Sequence, residues 1–249
     1  MSDVVLKRFG LLGRNISYSF SKGYFTDKFK NENFEGCTYE NFDIAEIASF
    51  PEIIKKNINL KGLSVTIPYK ETVLPFLDKL SKKAKLIGAV NTIKITKEGK
   101  LKGYNTDYYG FKKSLEPLLQ EHHKKALILG TGGASKGVAF ALNELKIPYT
   151  FVSRENKENT IGYNRINAKT FDNYQIIINS TPVGTSPNIE LFPLIPYEYF
   201  TEKHIAFDLI YNPTETQFLK KAKENGAQIK NGLDMLIFQA EKAWKIWNK

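Results

Sequence analysis

Within the stretch GLSVTIPYKETV, residues 62–73, two small hydroxyls and an ammonium fall close together: Ser64, Thr66 and Lys70. Hydroxyls hydrogen-bond oxygen-rich ligands, and a lysine beside a developing oxyanion stabilises it and hands over a proton. Most lysines are simply exposed. Lys70 differs in position, because it follows Thr66 and Pro68 at the end of an alternating apolar run that reads as a strand. Open α/β sheets bind their ligands at the carboxyl ends of strands.

A second chemical stretch is GTGGAS, residues 130–135, between the apolar run ALIL and the helical pattern KGVAFALNELK. Glycines let the backbone turn tightly and approach a ligand, and the helix behind them offers free N–H groups to a pyrophosphate. The same residues also make an ordinary βα turn, and the strand before and helix after favour the dinucleotide reading. The next strand ends in VSRENK. Where an NAD site places an acidic residue for the ribose 2′-hydroxyl, this chain has Ser153 and Arg154. A planar guanidinium suits a 2′-phosphate, so NADP is the favoured cofactor, with the Glu155 charge opposing it.

Other stretches have two readings each. YSFSK carries Ser19 and Ser21 ahead of a helix, while GAVNT (88–92) and GYNTDYYG (103–110) each place an Asn-Thr pair behind a glycine. These residue types cap helices as readily as they hold hydroxylated ligands, and Asp107 could simply cap the helix it leads. NSTPVG (179–184) and DLIYNP (208–213) follow apolar strands and are also turn formers. Gln239 lies on the polar flank of the last helix, roughly 110° from its apolar stripe at 100° per residue. His122, His123 and His204 lack Cys or carboxylate partners at ligand spacing, and the first two sit in a Lys-rich turn expected to be exposed, so no metal site is expected. No G-x-S-x-G elbow supports a serine hydrolase.

The elements that must position these residues alternate. RFGLLG, YENFDI and GLSVTI read as strands, with helical stretches at YFTDKF and EIIKKN. From Lys125 onwards a βαβ unit runs through YTFVSR, and YQIIINS and HIAFDLIY follow as buried strands. The fold class is therefore α/β, expected to be parallel. The last helix starts after Gly232 and carries Leu233, Leu236, Ile237, Ala240, Trp244 and Trp247 on one stripe. KGYNTDYYGFKKSLEPLL marks a boundary between a first domain and a nucleotide-type domain.

At 249 residues, 42% hydrophobic, the chain can bury a real core. Its net charge of +10 permits anionic partners, but the Lys clusters are scattered and lack aromatic interleaving, so nucleic-acid binding is not expected. Short apolar runs and an N-terminus without a signal-peptide core point to a cytoplasmic protein without membrane partners. The single cysteine, Cys37, has no disulfide partner and is expected to be a buried spectator.

Taken in order, YSFSK, GLSVTIPYK, GAVNT, GYNTDYYG, GTGGAS, VSR, NSTPVG, DLIYNP and GLDMLIFQA resemble the shikimate dehydrogenase family across nearly the whole chain. The resemblance implies a two-domain protein. Residues 1–104 with 233–249 would form an α/β shikimate-binding domain, and residues 105–232 a Rossmann-like NADP-binding domain, with a hinge near 103–107 and 231–233. It implies reversible NADPH-dependent reduction of 3-dehydroshikimate to shikimate, on the route to chorismate and the aromatic amino acids, by a monomer or homodimer. Ser19, Ser21, Thr66, Asn91, Asp107, Tyr211 and Gln239 would surround the substrate, with Lys70 at the reacting oxygen and Asp107 its proton-transfer partner. Gly130, Gly132, Gly133 and Ala134 would hold the pyrophosphate, and Ser153 and Arg154 the 2′-phosphate side. Thr181, Leu209 and Gly232 would lie along the ribose and nicotinamide.

Tyr18 and Lys22 stand where the family commonly has histidine and proline, so the loop before the first helix is expected to sit differently. Glu158 replaces a second basic residue, with Lys157 one place early, and weaker discrimination against NAD is expected. Two rivals stay open: a quinate/shikimate dehydrogenase of the same fold, and a nucleotide- or RNA-binding regulator without catalysis.

Overall fold

Alternation in RFGLLG becomes β1 (Lys7–Gly13), whose Phe9 and Leu11 are buried on one face and Leu12 on the other. Residues 6–17, 19–155 and 160–249 are described by the computed structural model. The chain divides into two compact units, Met1–Thr106 with Ala240–Lys249, and Asp107–Gln239.

In the first unit β1 is followed by α1 (Phe20–Asn31), β2 (Cys37–Asp43), α2 (Phe50–Lys56), β3 (Leu60–Val65) and α3 (Tyr69–Thr72). Then come β4 (Lys79–Leu80), α4 (Lys82–Ile87), β5 (Thr92–Ile95) and β6 (Leu101–Tyr104). The sheet order is β2-β1-β3-β5-β6-β4. Strands β1, β2 and β3 are parallel, whereas β5 runs antiparallel to both β3 and β6. The expected parallel architecture holds for β1, β2 and β3, and β5 and β6 depart from it. Strands β5 and β6 are joined by a tight turn, closed by Thr96 N–H to Lys100 O at 2.9 Å with Gly99 at φ +76°, and a turn of that length reverses the chain.

Each face of this sheet has its own core. Leu12, Leu60, Leu63 and Val65 pack with Phe50, Tyr69 and Val73. Phe9, Leu11 and Tyr39 pack with Phe25 and Phe29 of α1 and with Trp244 and Trp247. Cys37, at the start of β2, is half-buried rather than buried.

The second unit holds α5 (Asp107–Leu115), β7 (Ala126–Leu129), α6 (Gly133–Glu144), β8 (Tyr149–Ser153), β9 (Thr160–Gly162) and α7 (Ala168–Asn173). It continues through β10 (Ile176–Asn179), β11 (Ile205–Asp208), α8 (Gln217–Glu224) and β12 (Gln228–Lys230) into α9 (Leu233–Trp247). Its sheet is entirely parallel, in the order β12-β11-β10-β7-β8-β9. Every residue of β7, β10 and β11 is buried, which accounts for their apolar runs, broken only by Asn179 and Asp208 at the ends of β10 and β11. The strand order reverses between β7 and β10, the switch point where doubly wound sheets take their ligands. His123, expected exposed, is buried, its Nδ1 accepting the Gln120 N–H at 2.8 Å and its ring lying near Lys203 and His204.

Helix α9 belongs to both units, residues 233–239 to the second and 240–247 to the first. Its buried residues are Met235, Ala240, Ala243, Trp244 and Trp247, while Leu233, Leu236 and Ile237 are half-buried. The expected single stripe is therefore broken, each half burying the face its own unit requires.

The Trp247 indole lies flat against Gly62 of β3, and its Nε1 donates to Ile93 O at 3.0 Å. A methyl group at Gly62 would sit 2.3 Å from that ring, closer than any Cβ contact allows. Gly62→Ala is expected to destabilise the protein by about 1–3 kcal/mol, the usual range for overpacking, measurable by urea unfolding. An unchanged midpoint would refute the close seating of Trp247.

Candidate active site

The chain leaves β3 at Val65, and the next residues are held by backbone bonds to two neighbouring segments. Thr66 N–H donates to Leu12 O at 2.9 Å, Val65 N–H to Asn91 O at 2.8 Å, and Val90 N–H to Lys70 O at 2.7 Å. Thr66, Lys70 and Asn91 are thereby gathered at the carboxyl end of the first unit's sheet. Lys70 lies half-buried within the single turn of α3, beside Tyr69, whose hydroxyl donates to Ile44 O at 2.7 Å. Asn91 is buried, its Oδ1 accepting the Thr106 N–H at 2.6 Å and its Nδ2 donating to Thr106 Oγ1 at 3.0 Å. Ser19 caps α1, its Oγ accepting the Ser21 N–H at 3.2 Å.

Asp107 opens α5 as its first residue, buried to 3% exposure, with its carboxylate at the positive end of the helix. Asp107, Tyr211 and Gln239 belong to the second unit, with the expected cofactor residues. Gln239 is half-buried on α9, which packs so closely on α5 that a methyl at Gly110 would lie 2.3 Å from Met235 O.

The turn after β7 fits a pyrophosphate. Gly130 has φ +102°, a conformation that favours glycine, and a methyl there would press on Thr181 at 3.0 Å. Gly132 caps α6 with no side-chain hydrogen bond and faces open space, so the leading N–H groups of a twelve-residue helix, from Gly133 and Ala134 onward, meet no capping side chain. Beside this turn, Ser153 ends β8 buried and its Oγ accepts the Glu155 N–H at 3.2 Å, leaving Arg154 exposed. The Arg154 charge partly offsets the burial that raises the Tyr163 hydroxyl pKa. Tyr18, Lys157 and Glu158 lie outside the described residues.

Two residues without an assigned part in the sequence analysis organise this end of the second sheet. Asp208 is fully buried, and its carboxylate accepts from Asn179 Nδ2 at 3.1 Å, Ile210 N–H at 3.0 Å and Thr216 Oγ1 at 2.6 Å. Asn179 Oδ1 in turn accepts from Thr181 N–H at 3.1 Å and Thr181 Oγ1 at 2.6 Å. Leu209 N–H donates to Asn179 O at 3.0 Å, and Leu209 O presses on Gly232, where a methyl would lie 2.0 Å away. Thr181, Leu209 and Gly232 thus form one hydrogen-bonded and packed group. Asp208 heads DLIYNP, read in the sequence only as a turn former, and the Ile210 N–H it accepts is such a turn bond, while its bonds from Asn179 and Thr216 leave no local signal.

Comparison with known proteins matches residues 11–93 to the family model described as the shikimate dehydrogenase substrate binding domain. A Clostridium botulinum relative named "Shikimate dehydrogenase (NADP(+))" is 40% identical, covering 96% of this chain and 95% of its own. One from Caldanaerobacter subterraneus with the same name is 37% identical over 98% of this chain and 92% of its own. The chain belongs to the shikimate dehydrogenase family. The Thermus thermophilus shikimate 5-dehydrogenase, solved in complex with NADP(H) and shikimate, superposes with a TM-score of 0.86 at 31% identity, covering 97% of this chain and 93% of its own. Within the family frame the matched substrate-domain segment contains Ser19, Ser21, Thr66, Lys70 and Asn91. Among the described residues there is no cluster able to hold a metal ion, and no helix long and apolar enough to cross a membrane.

Burial pushes the Asp208 carboxyl up to about 7, outweighing the three donors that favour its charged form. A folded pKa raised above the ordinary value of 3.8 contributes stability that is fully present at low pH and is lost as pH rises towards 7. The stability difference between wild type and Asp208→Asn should therefore fall as pH rises from about 4 to 7 and level off above. A pH-independent difference in thermal midpoints would contradict this.

Proposed function

We propose that this chain catalyses the reversible NADPH-dependent reduction of 3-dehydroshikimate to shikimate, with Lys70 and Asp107 as its proton-transfer pair. The observation that carries the reading is the match to relatives named NADP-dependent shikimate dehydrogenases along nearly the whole of both chains. Bound NADPH supplies the hydride. The Lys70 ammonium stabilises the negative charge that grows on the substrate's carbonyl oxygen and donates the proton, and in the oxidative direction the pair takes that proton back. Ser19, Ser21, Thr66, Asn91, Tyr211 and Gln239 hold the ring hydroxyls and carboxylate. Gly130, Gly132, Gly133 and Ala134 receive the pyrophosphate, supported by the uncapped start of α6. Ser153 and Arg154 meet the 2′-phosphate, and Thr181, Leu209 and Gly232 flank the nicotinamide riboside. Substrate and cofactor are small and water-soluble, and we place the reaction in the cytoplasm, carried out by a monomer or homodimer.

Wild-type protein should consume NADPH when 3-dehydroshikimate is added, and absence of turnover would refute the assignment. The kcat/KM for NADPH should exceed that for NADH. Arg154→Gln should lower the NADPH value by about 10- to 100-fold, the worth of a charge-assisted hydrogen bond to phosphate, with little change for NADH. A clear preference of the wild type for NADH would overturn the cofactor assignment.

A further inference from the structure

Among the described residues, two buried side-chain polar atoms have no hydrogen-bond partner, the Tyr39 hydroxyl and Asn41 Oδ1. They stand two residues apart on β2 and so project from the same face of the sheet. The strand registers place Ser64 on that face as well, since Leu11 of β1 pairs with Asn41 on one side and Ser64 on the other. This is the face covered by α1, where Tyr39 stacks on Phe25 at 4.6 Å between ring centroids. The hydroxyls of Ser64 and Ser21 stand near the Tyr39 hydroxyl without hydrogen-bonding it. Asn41 uses its Nδ2 on Ile16 O at 2.9 Å, leaving the acceptor oxygen over.

Packing alone does not call for a hydroxyl at position 39. Tyr39 is 4% exposed in an aromatic core, and a phenylalanine would fill the same stack without burying an unsatisfied polar atom. The hydroxyl has one proton to give, and the serines it faces have one each. A tyrosine O–H directed into a serine oxygen commits that serine's own proton outward, and a chain of such bonds strengthens each donor. A run of hydroxyls ending in outward donors fits an anionic oxygen.

We infer that Tyr39 is a positioning residue for the substrate carboxylate, its hydroxyl donating to Ser21 or Ser64 and setting that serine as a donor to the anion. The inference rests on the reading of the first unit as the site that binds 3-dehydroshikimate and shikimate, both of which carry a carboxylate. The hydroxyl completes its hydrogen bond when substrate draws the serines into place, so its worth appears in substrate affinity and not in the stability of the free protein.

Tyr39→Phe keeps the ring and removes the hydroxyl. The KM for 3-dehydroshikimate and for shikimate should rise about tenfold, with kcat within about twofold of wild type and the KM for NADPH unchanged. The thermal midpoint of the ligand-free variant should equal or exceed that of wild type. With shikimate methyl ester, which lacks the charge, the difference between the two proteins should shrink. An unchanged KM for 3-dehydroshikimate, or a lowered midpoint in the free variant, would overturn the inference while leaving the activity intact. Wild-type protein that neither turns over 3-dehydroshikimate nor gains thermal stability from shikimate would instead overturn the reading beneath it.

Discussion

Backbone groups that leave a parallel strand must find new partners at once, and in this chain those partners belong to the segments that carry the functional side chains. Thr66 closes onto the end of β1, and the neighbouring segment bonds both Val65 and Lys70. In the second unit Ser180 N–H and Oγ both donate to Leu129 O, Gly130 N–H donates to Val152 O, and Leu209 N–H to Asn179 O. Side-chain placement is therefore inherited from the sheets. A loop free to wander could not keep an ammonium at hydrogen-bond reach of a reacting oxygen.

Close contacts then decide which residues those segments can contain. Gly62 opens the stretch that ends at Lys70, and it has no side chain because Trp247 occupies the space. Gly232 is compressed by Leu209 O in the same way. Where the backbone alone does not suffice, buried polar groups take over, and Asp208 ties β10, β11 and the start of α8 together through three hydrogen bonds. That carboxyl lies far from water, so burial raises its proton affinity against the three donors that favour its charged form.

Much of this was legible in the sequence because period and punctuation are local. The strands around GLSVTI and ALIL, the glycine turn and the helix after Gly232 were all marked by alternation or by residues suited to caps and turns. What escaped depends on partners distant in the chain. The antiparallel pairing of β5 with β3 is set by partners far apart in the chain, and α9 divides its packing between two units, so no single stripe describes it. Asp208 and Tyr39 look like ordinary members of their strands, since a missing or satisfied hydrogen bond inside a core leaves no mark on the sequence. The order of nine short stretches, far more than any one of them, pointed to the family.

The claim that Lys70 acts on the reacting oxygen, and not merely as part of the binding surface, is tested most directly by Lys70→Ala. Steady-state kinetics combined with calorimetric titration of shikimate would separate the two roles. General-acid action requires kcat to fall by about 10²-fold or more while shikimate affinity changes only modestly. A kcat near that of wild type, or a loss of affinity that accounts for the whole loss of rate, would contradict it.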